Sequence, residues 1–206
     1  MASDPSSGSE TAKTPRSRRL PRKATPKRLA RGALAYLDRY AASSGQLRRI
    51  LMGRVERSAR LHDTDREEGA AAVEAIIARL QTQGLLNDRA YAAAKAASLQ
   101  RRGQSLKAIA ADLARKSLGK DDIAAALEAL RAADDGAEEA AAATYCRKRR
   151  IGPHRPPDDR AAMRQKDLAA LARRGFSYDT ACRVLDAEAD WGALPEGAVA
   201  VSTKTR

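Results

Sequence analysis

The chain has 206 residues, of which 43% are hydrophobic but only 3% aromatic, and it carries a formal net charge of +13. Ala and Leu supply most of the apolar content, so a β-sheet cannot be furnished and the expected fold class is all-α, with thin cores and closely packed helices. The positive excess implies a polyanionic partner, two cysteines exclude a disulfide framework, and no apolar run of about 18 residues is present to form a membrane helix.

Residues 1–31 hold nine Lys or Arg and two acids, +7 of the total, with little to bury. They are expected to form a disordered basic tail. They lack both the apolar core of a secretory signal and a large apolar face for membrane insertion, so a cytoplasmic location is expected. A helical pattern begins at Ala33, with Leu34, Leu37 and Ala41 on one face, breaks at Ser43-Ser44-Gly45, and resumes through Leu47, Ile50 and Leu51. Residues 61–69 are polar and read as a loop running into a helix start. Val73, Ile76, Ile77 and Leu80 then follow amphipathic spacing.

The second unit opens after Gly84, with Asn87 and Asp88 placed to cap a helix running to about Arg102. Gly103 stops it, and Ser105 can cap a helix bearing Leu106, Ile109, Ala110 and Leu113. Gly119 is a break, Asp121 is expected to cap the next helix, and Ile123, Leu127 and Leu130 form its stripe. The third unit has a helix from about Glu138 to Arg149, a Pro-rich turn at 152–157, and a helix with Leu168, Leu171 and Ala172. Gly175 ends that helix, and Ser177 can cap a last one with Ala181, Val184 and Leu185.

A pattern spread over residues 113–127 recurs at 171–185. Leu113-Ala114-Arg115-Lys116-Ser117-Leu118 reads like Leu171-Ala172-Arg173-Arg174-Gly175-Phe176, and Asp121 and Asp179 follow at one offset. Val73, Ile77 and Leu80 match Ile123, Leu127 and Leu130 more loosely, and Tyr36, Tyr91 and Tyr145 mark the first helix of each unit. The reading is three tandem three-helix repeats, at 32–82, 83–132 and 133–189, forming an elongated, curved basic array, with a C-terminal tail at 190–206. Such units bury too little alone and must share faces with neighbours.

Enzymatic signals are absent, so no catalytic residue, cofactor or metal is expected. His62 and His154 are not at metal-ligand spacing, and neither phosphate-binding nor dinucleotide glycine motifs occur. Cys146 and Cys182 read as buried free thiols. The acids Asp134, Asp135, Glu138 and Glu139 suit a helix start, where negative charge is stabilised.

The basic clusters carry more information. Arg101-Arg102, Arg115-Lys116, Arg147-Lys148-Arg149-Arg150 and Arg173-Arg174 lie at helix C-termini. The helix dipole favours a base or two there but does not require four in a row, or paired bases at matching places in two repeats. With Lys107, these residues are the candidate surface for a partner protein or DNA. No aromatics are interleaved with them, so base stacking is not indicated.

Leu86-Asn87-Asp88-Arg89-Ala90-Tyr91-Ala92, then Arg102-Gly103 with Ile109 and Leu113, then Arg173-Arg174-Gly175-Phe176 with Val184-Leu185, occur in an order that resembles the RecX family of bacterial recombination regulators. The resemblance covers about residues 32–189. It departs from the family in the first unit, where Ala42-Ser43-Ser44 and Gln46-Leu47 stand in place of an Arg-Ser pair and Glu-Leu.

What the resemblance implies is a cytoplasmic, non-enzymatic modulator of RecA, acting as a monomer. It would lie in the groove of the RecA–DNA filament and restrain strand exchange, ATP hydrolysis and coprotease action, with weak contact to single- and double-stranded DNA through the basic surface. The residues alone also support a nucleoid-associated DNA-binding protein that acts without RecA.

Overall fold

The computed structural model describes residues 22–187, and among them the regular structure is entirely helical. The first three helices are α1 (Pro26–Leu37), α2 (Ser44–His62) and α3 (Arg66–Thr82). They enclose a core of Leu29, Ala33, Leu47, Leu51, Val55 and the α3 stripe Val73, Ile77, Leu80. Next come α4 (Asp88–Arg101), α5 (Leu106–Arg115) and α6 (Lys120–Ala133), around Ala92, Ala96, Ile109, Leu113, Ala126 and Leu130. The last group is α7 (Ala137–Arg149), a short 3-10 turn at Gly152–His154, α8 (Pro157–Arg173) and α9 (Tyr178–Asp186), around Ala142, Cys146, Leu171, Phe176 and Val184.

Each triplet therefore closes on its own small core, and Ala residues let the helices approach closely. Leu118 and Phe176, which hold matching places in the 113–127 and 171–185 patterns, are both buried. The turns before them match as well: Ser117 and Gly175 both have positive φ, and the following amides return to the carbonyls of Leu113 and Leu171. This is the Schellman closure of a helix end.

Several local expectations change. The first helix starts at Pro26, not Ala33, and so takes in the last part of the expected tail. Its buried stripe is Leu29 and Ala33, flanked by Tyr36 and Leu37, while Leu34 points to solvent. Proline at the first helical position lacks only an N–H that would be unpaired anyway. The rest of the tail, residues 1–21, and the expected C-terminal tail at 190–206 lie outside the described residues. The polar stretch 61–69 is mostly helix, because α2 runs to His62 and Asp65 caps α3 through the Glu67 and Glu68 amides. Asp121 does not cap α6: Gly119 is the N-cap, and Asp121 sits inside the first turn, where its charge faces the positive end of the helix dipole. Cys146 is buried and Cys182 half-buried, both as free thiols.

The triplets are joined by one hydrogen-bonding arrangement used twice. At the first junction Ser43, the N-cap of α2, is fully buried; its hydroxyl donates to the carbonyl of Lys116, the C-cap of α5. The Ser44 amide donates to Asp88 Oδ1 (2.7 Å) and its hydroxyl to Asp88 Oδ2 (2.5 Å). At the second junction Ser105, the equally buried N-cap of α5, donates to the carbonyl of Arg174, the C-cap of α8 (2.6 Å). The Leu106 amide donates to Glu138 Oε2 (2.9 Å). In each case the start of one middle helix meets the end of the next unit's middle helix, and a carboxylate from the next unit's first helix closes the site. Amides left over at a helix start are thereby matched to the serine oxygen and the carboxylate, while the serine hydroxyl donates to a carbonyl left over at a helix end, so that the positive end of one helix dipole meets the negative end of another.

The third triplet contains a buried ion pair. Asp167 accepts from the Gly152 amide (2.9 Å) and from Arg155 in a two-pronged pair (2.9 and 2.8 Å). Arg160 closes the turn by donating to the carbonyls of Pro153 and Arg155. Burial alone would raise the Asp167 carboxyl, but the Arg155 hydrogen bond, the Gly152 amide and the Arg155 charge outweigh it and hold it below the usual range.

A depressed carboxylate contributes stability that is complete above its unfolded value, near 3.9, and is lost as pH falls through the lower folded value. Melting temperature should therefore fall below about pH 4, and less steeply in Asp167→Asn; identical pH profiles would remove Asp167 from this role. At neutral pH Asp167→Ala should cost about 3 kcal/mol, the low end for breaking a buried pair, because Arg155 can reach water. At the junctions, Ser43→Ala and Ser105→Ala should each cost about 1–2 kcal/mol in urea unfolding. A double-mutant cycle of Ser105→Ala with Glu138→Ala should give a coupling of at least about 0.5 kcal/mol; strict additivity would mean that the two groups do not share one site.

Candidate docking surface

The end of α7 and the end of α8 come together in the third triplet. Arg149, Arg173 and Arg174 line an open cleft of about 390 Å³ whose apolar side is Tyr145, Ile151 and Ala170. The Arg174 guanidinium lies 5.3 Å from the centre of the Tyr145 ring, a cation–π distance. Tyr145 is held in turn by Phe176, ring centres 6.4 Å apart. None of the three arginines forms an ion pair with a carboxylate among the described residues, in contrast to Arg155, Arg164 and Arg183. The cleft presents an uncompensated positive surface with one aromatic ring in its floor.

Neighbouring cations extend this surface toward the second triplet. Lys148 donates to the carbonyl of Arg102 (3.0 Å), which brings the 101–102 pair beside the 147–150 run. Lys107 lies against Gly175, where a Cβ would approach the Lys107 Cβ to 3.2 Å. Arg150 is the C-cap of α7 in the left-handed region. The His154 imidazole is shifted below its usual value, first by burial and then by the charges of Arg147 and Arg160. These two charges reach His154 from α7 and α8.

Arg115 and Lys116 are not part of this group. Arg115 pairs with Asp112 (2.6 Å), and both residues belong to the first junction, where Arg49 donates to the Arg115 carbonyl and to the Ser117 hydroxyl. The sequence-selected bases thus fall into two sets: Arg101, Arg102, Lys107, 147–150, Arg173 and Arg174 around the second junction, and Arg115 with Lys116 at the first. Nothing in the sequence pattern marks Arg49 or Tyr145 as part of a surface site. The tyrosine shares a helix with the 147–150 run, but only the fold turns its ring under Arg174.

The glycines of the two motifs shape the second junction. Gly103 has φ +81°, and a Cβ there would fall 3.0 Å from both the Ala141 carbonyl oxygen and the Tyr145 amide. Gly175 has φ +88°, and a Cβ would lie 2.9 Å from Ser105 Oγ. Only glycine permits both the left-handed turn and the close approach.

No group of three or more His, Cys, Asp or Glu side chains suited to a metal ion occurs among the described residues. Burial, then the charge of Asp167, pushes the Cys146 thiol up to about 12, which leaves it protonated and unreactive at neutral pH. No helix among the described residues is long and apolar enough to cross a membrane.

Comparison with known proteins places this architecture. The family models for the second and third three-helix domains of RecX match residues 87–127 and 137–185. Regulatory protein RecX of Myxococcus xanthus (strain DK1622) is 44% identical over 184 residues, covering 89% of this chain and 97% of that one. The chain belongs to the RecX family. Regulatory protein RecX of Thermobifida fusca (strain YX) is 30% identical over 160 residues, covering 76% of this chain and 84% of that one. Among solved structures, RecX from Lactobacillus salivarius aligns with a TM-score of 0.55 at 20% identity, over 78% of this chain and 94% of that one. A second crystal structure of a regulatory protein RecX gives 0.55 at 24% identity, over 79% and 72%. At these identities the structural likeness concerns the fold. Several of the RecX-like motif residues sit where triplets meet: Leu86 lies in the first core, Asp88 accepts from the Ser44 amide at the start of α2, and Gly103 and Gly175 give α7 and Ser105 their close approach, whereas Ile109, Leu113, Phe176, Val184 and Leu185 fill the second and third cores.

Gly103→Ala should lower stability by about 2 kcal/mol, since it strains the turn and pushes α4 off the α7 backbone. Equal unfolding midpoints for the variant and the parent would contradict the close-approach account.

Proposed function

We propose that this RecX family protein is a cytoplasmic, non-enzymatic modulator of RecA that lies in the groove of the RecA–DNA filament and restrains strand exchange, ATP hydrolysis and coprotease action. The observation that carries the reading is kinship with Regulatory protein RecX along nearly the whole chain. The geometry is compatible with it. Triplets joined end to end suit a long contact rather than a pocket, and unpaired arginines with a tyrosine suit an acidic or phosphate-bearing partner.

The Arg149, Arg173 and Arg174 cleft is the predicted contact. Reversing all three to Glu should reduce inhibition of RecA ATP hydrolysis on single-stranded DNA at least about tenfold, with the melting temperature retained, because a contact face suffers like-charge repulsion while a solvated helix end tolerates exchange. Arg115→Glu should have a smaller effect, since that residue is already paired with Asp112. Full inhibition by a folded triple variant would remove this surface from the mechanism. DNA binding that is no stronger on RecA filaments than on bare DNA would favour the nucleoid-associated reading.

A further inference from the structure

We propose that a second cleft, between the start of α1 and the middle of α2, is an anion site that takes the phosphodiester backbone of a nucleic-acid strand. It lies in the first triplet, with the whole second triplet between it and the Arg149 cleft. It has a volume of about 250 Å³ and is lined by Arg22, Lys23, Arg28, Arg54 and Arg57 over a floor that includes Leu29. No carboxylate lines it, and none of the five cations forms an ion pair among the described residues. Arg48, Arg66, Arg115 and Arg131, by contrast, are each paired with an acid.

The cleft is held in place by buried groups. The Ala24 amide donates to Ser58 Oγ (2.8 Å), and Ser58, itself buried, shares a hydrogen bond with Thr64 (2.6 Å). This ties the chain ahead of α1 onto α2 and delivers Arg22 and Lys23 beside Arg54 and Arg57. Gly32 lets Arg54 reach across α1, since a Cβ there would fall 1.7 Å from the Arg54 Nη1. Arg28 and Arg57 each give one N–H to a main-chain carbonyl, of Lys23 and Gly53, which orients the guanidinium and leaves other donors for a ligand.

The ligand class follows from charge density. Five cations at one cleft exceed what one or two side-chain carboxylates neutralise, whereas duplex DNA carries a charge about every 1.7 Å along its axis. No aromatic side chain lines the cleft, so it holds the backbone without stacking bases, and binding there is independent of sequence. The proposal does not rest on the RecA reading.

The test uses the full chain and a labelled single-stranded oligonucleotide with no recombinase present, so its failure is separable from failure of that reading. Fluorescence anisotropy across a salt series compares the parent with the double variant Arg28→Gln, Arg57→Gln. A control pair, Arg39→Gln and Arg79→Gln, removes the same charge from exposed places on the same triplet. Loss of two phosphate contacts should flatten the log–log salt slope by about 1.4 in the cleft variant and leave it unchanged in the control. Equal slope changes in the two variants, or none in the cleft variant, would overturn the site. So would displacement of the oligonucleotide by polyglutamate from the parent but not from the cleft variant, which would make the cleft a site for acidic protein. If the cleft variant melts early, Arg22→Gln with Lys23→Gln, both ahead of α1, carries the same expectation and the same refutation.

Discussion

A buried serine hydroxyl that joins the start of one helix to the end of another holds the triplets together. Each triplet has a small core that buries too little to orient its neighbours. Ser43 and Ser105 solve this by using one oxygen twice, accepting from their own helix and donating to the C-cap carbonyl of the next unit. Asp88 and Glu138 close the same sites from the following unit's first helix. Because a hydrogen bond has length and direction, the contact fixes orientation, which a small apolar face alone would leave loose. Burial raises the Glu138 carboxyl, against the opposing pull of the Leu106 amide and Arg131, so the second junction holds its charge at some cost.

The arrangement also explains where unpaired cations accumulate. At every helix C-terminus the dipole favours a base. Within a triplet, nearby acids pair with many of those bases, as in the Arg115–Asp112 and Arg131–Glu128 pairs. The end of α8, where Arg173 and Arg174 lie, meets the end of α7 instead, so two basic ends converge without an acid between them. The first-triplet cleft arises differently, from a leader tied down by Ser58 against a helix whose exposed face is arginine. Two positive sites therefore sit on triplets separated by two junctions, and the junctions set the distance between them.

Much of the fold is legible in the chain. The Leu and Ile stripes, the serine caps at Ser105 and Ser177 and the breaks at Gly84, Gly103 and Gly175 mark the helices, and the 113–127 and 171–185 match marks equivalent turns. What escapes is what depends on distant partners. Asp88 reads as a cap for its own helix and instead serves α2; Glu138 reads as ordinary first-turn charge and instead receives the Leu106 amide. The spacing from Ser44 to Asp88 differs from that between Leu106 and Glu138, so no fixed offset announces the pairing. Likewise Leu29 looks like an isolated apolar residue in a basic tail until α3 supplies its neighbours. Of the candidate bases, the repeat pairs Arg115 and Lys116 with Arg173 and Arg174; that the second pair meets Arg149 in one cleft while the first lies apart at another junction depends on the packing of the helices.

The central claim, that the serine junctions hold the triplets in one fixed arrangement, is open to direct measurement by pulsed electron–electron resonance. Spin labels at Arg60→Cys in α2 and Gln165→Cys in α8, in a Cys182→Ala background, report the distance from the first triplet to the third. A single narrow distribution is predicted for the parent chain, broadening when Ser43→Ala and Ser105→Ala are introduced while helicity is retained. A broad distribution in the parent, or one equally narrow in the serine variant, would contradict the account.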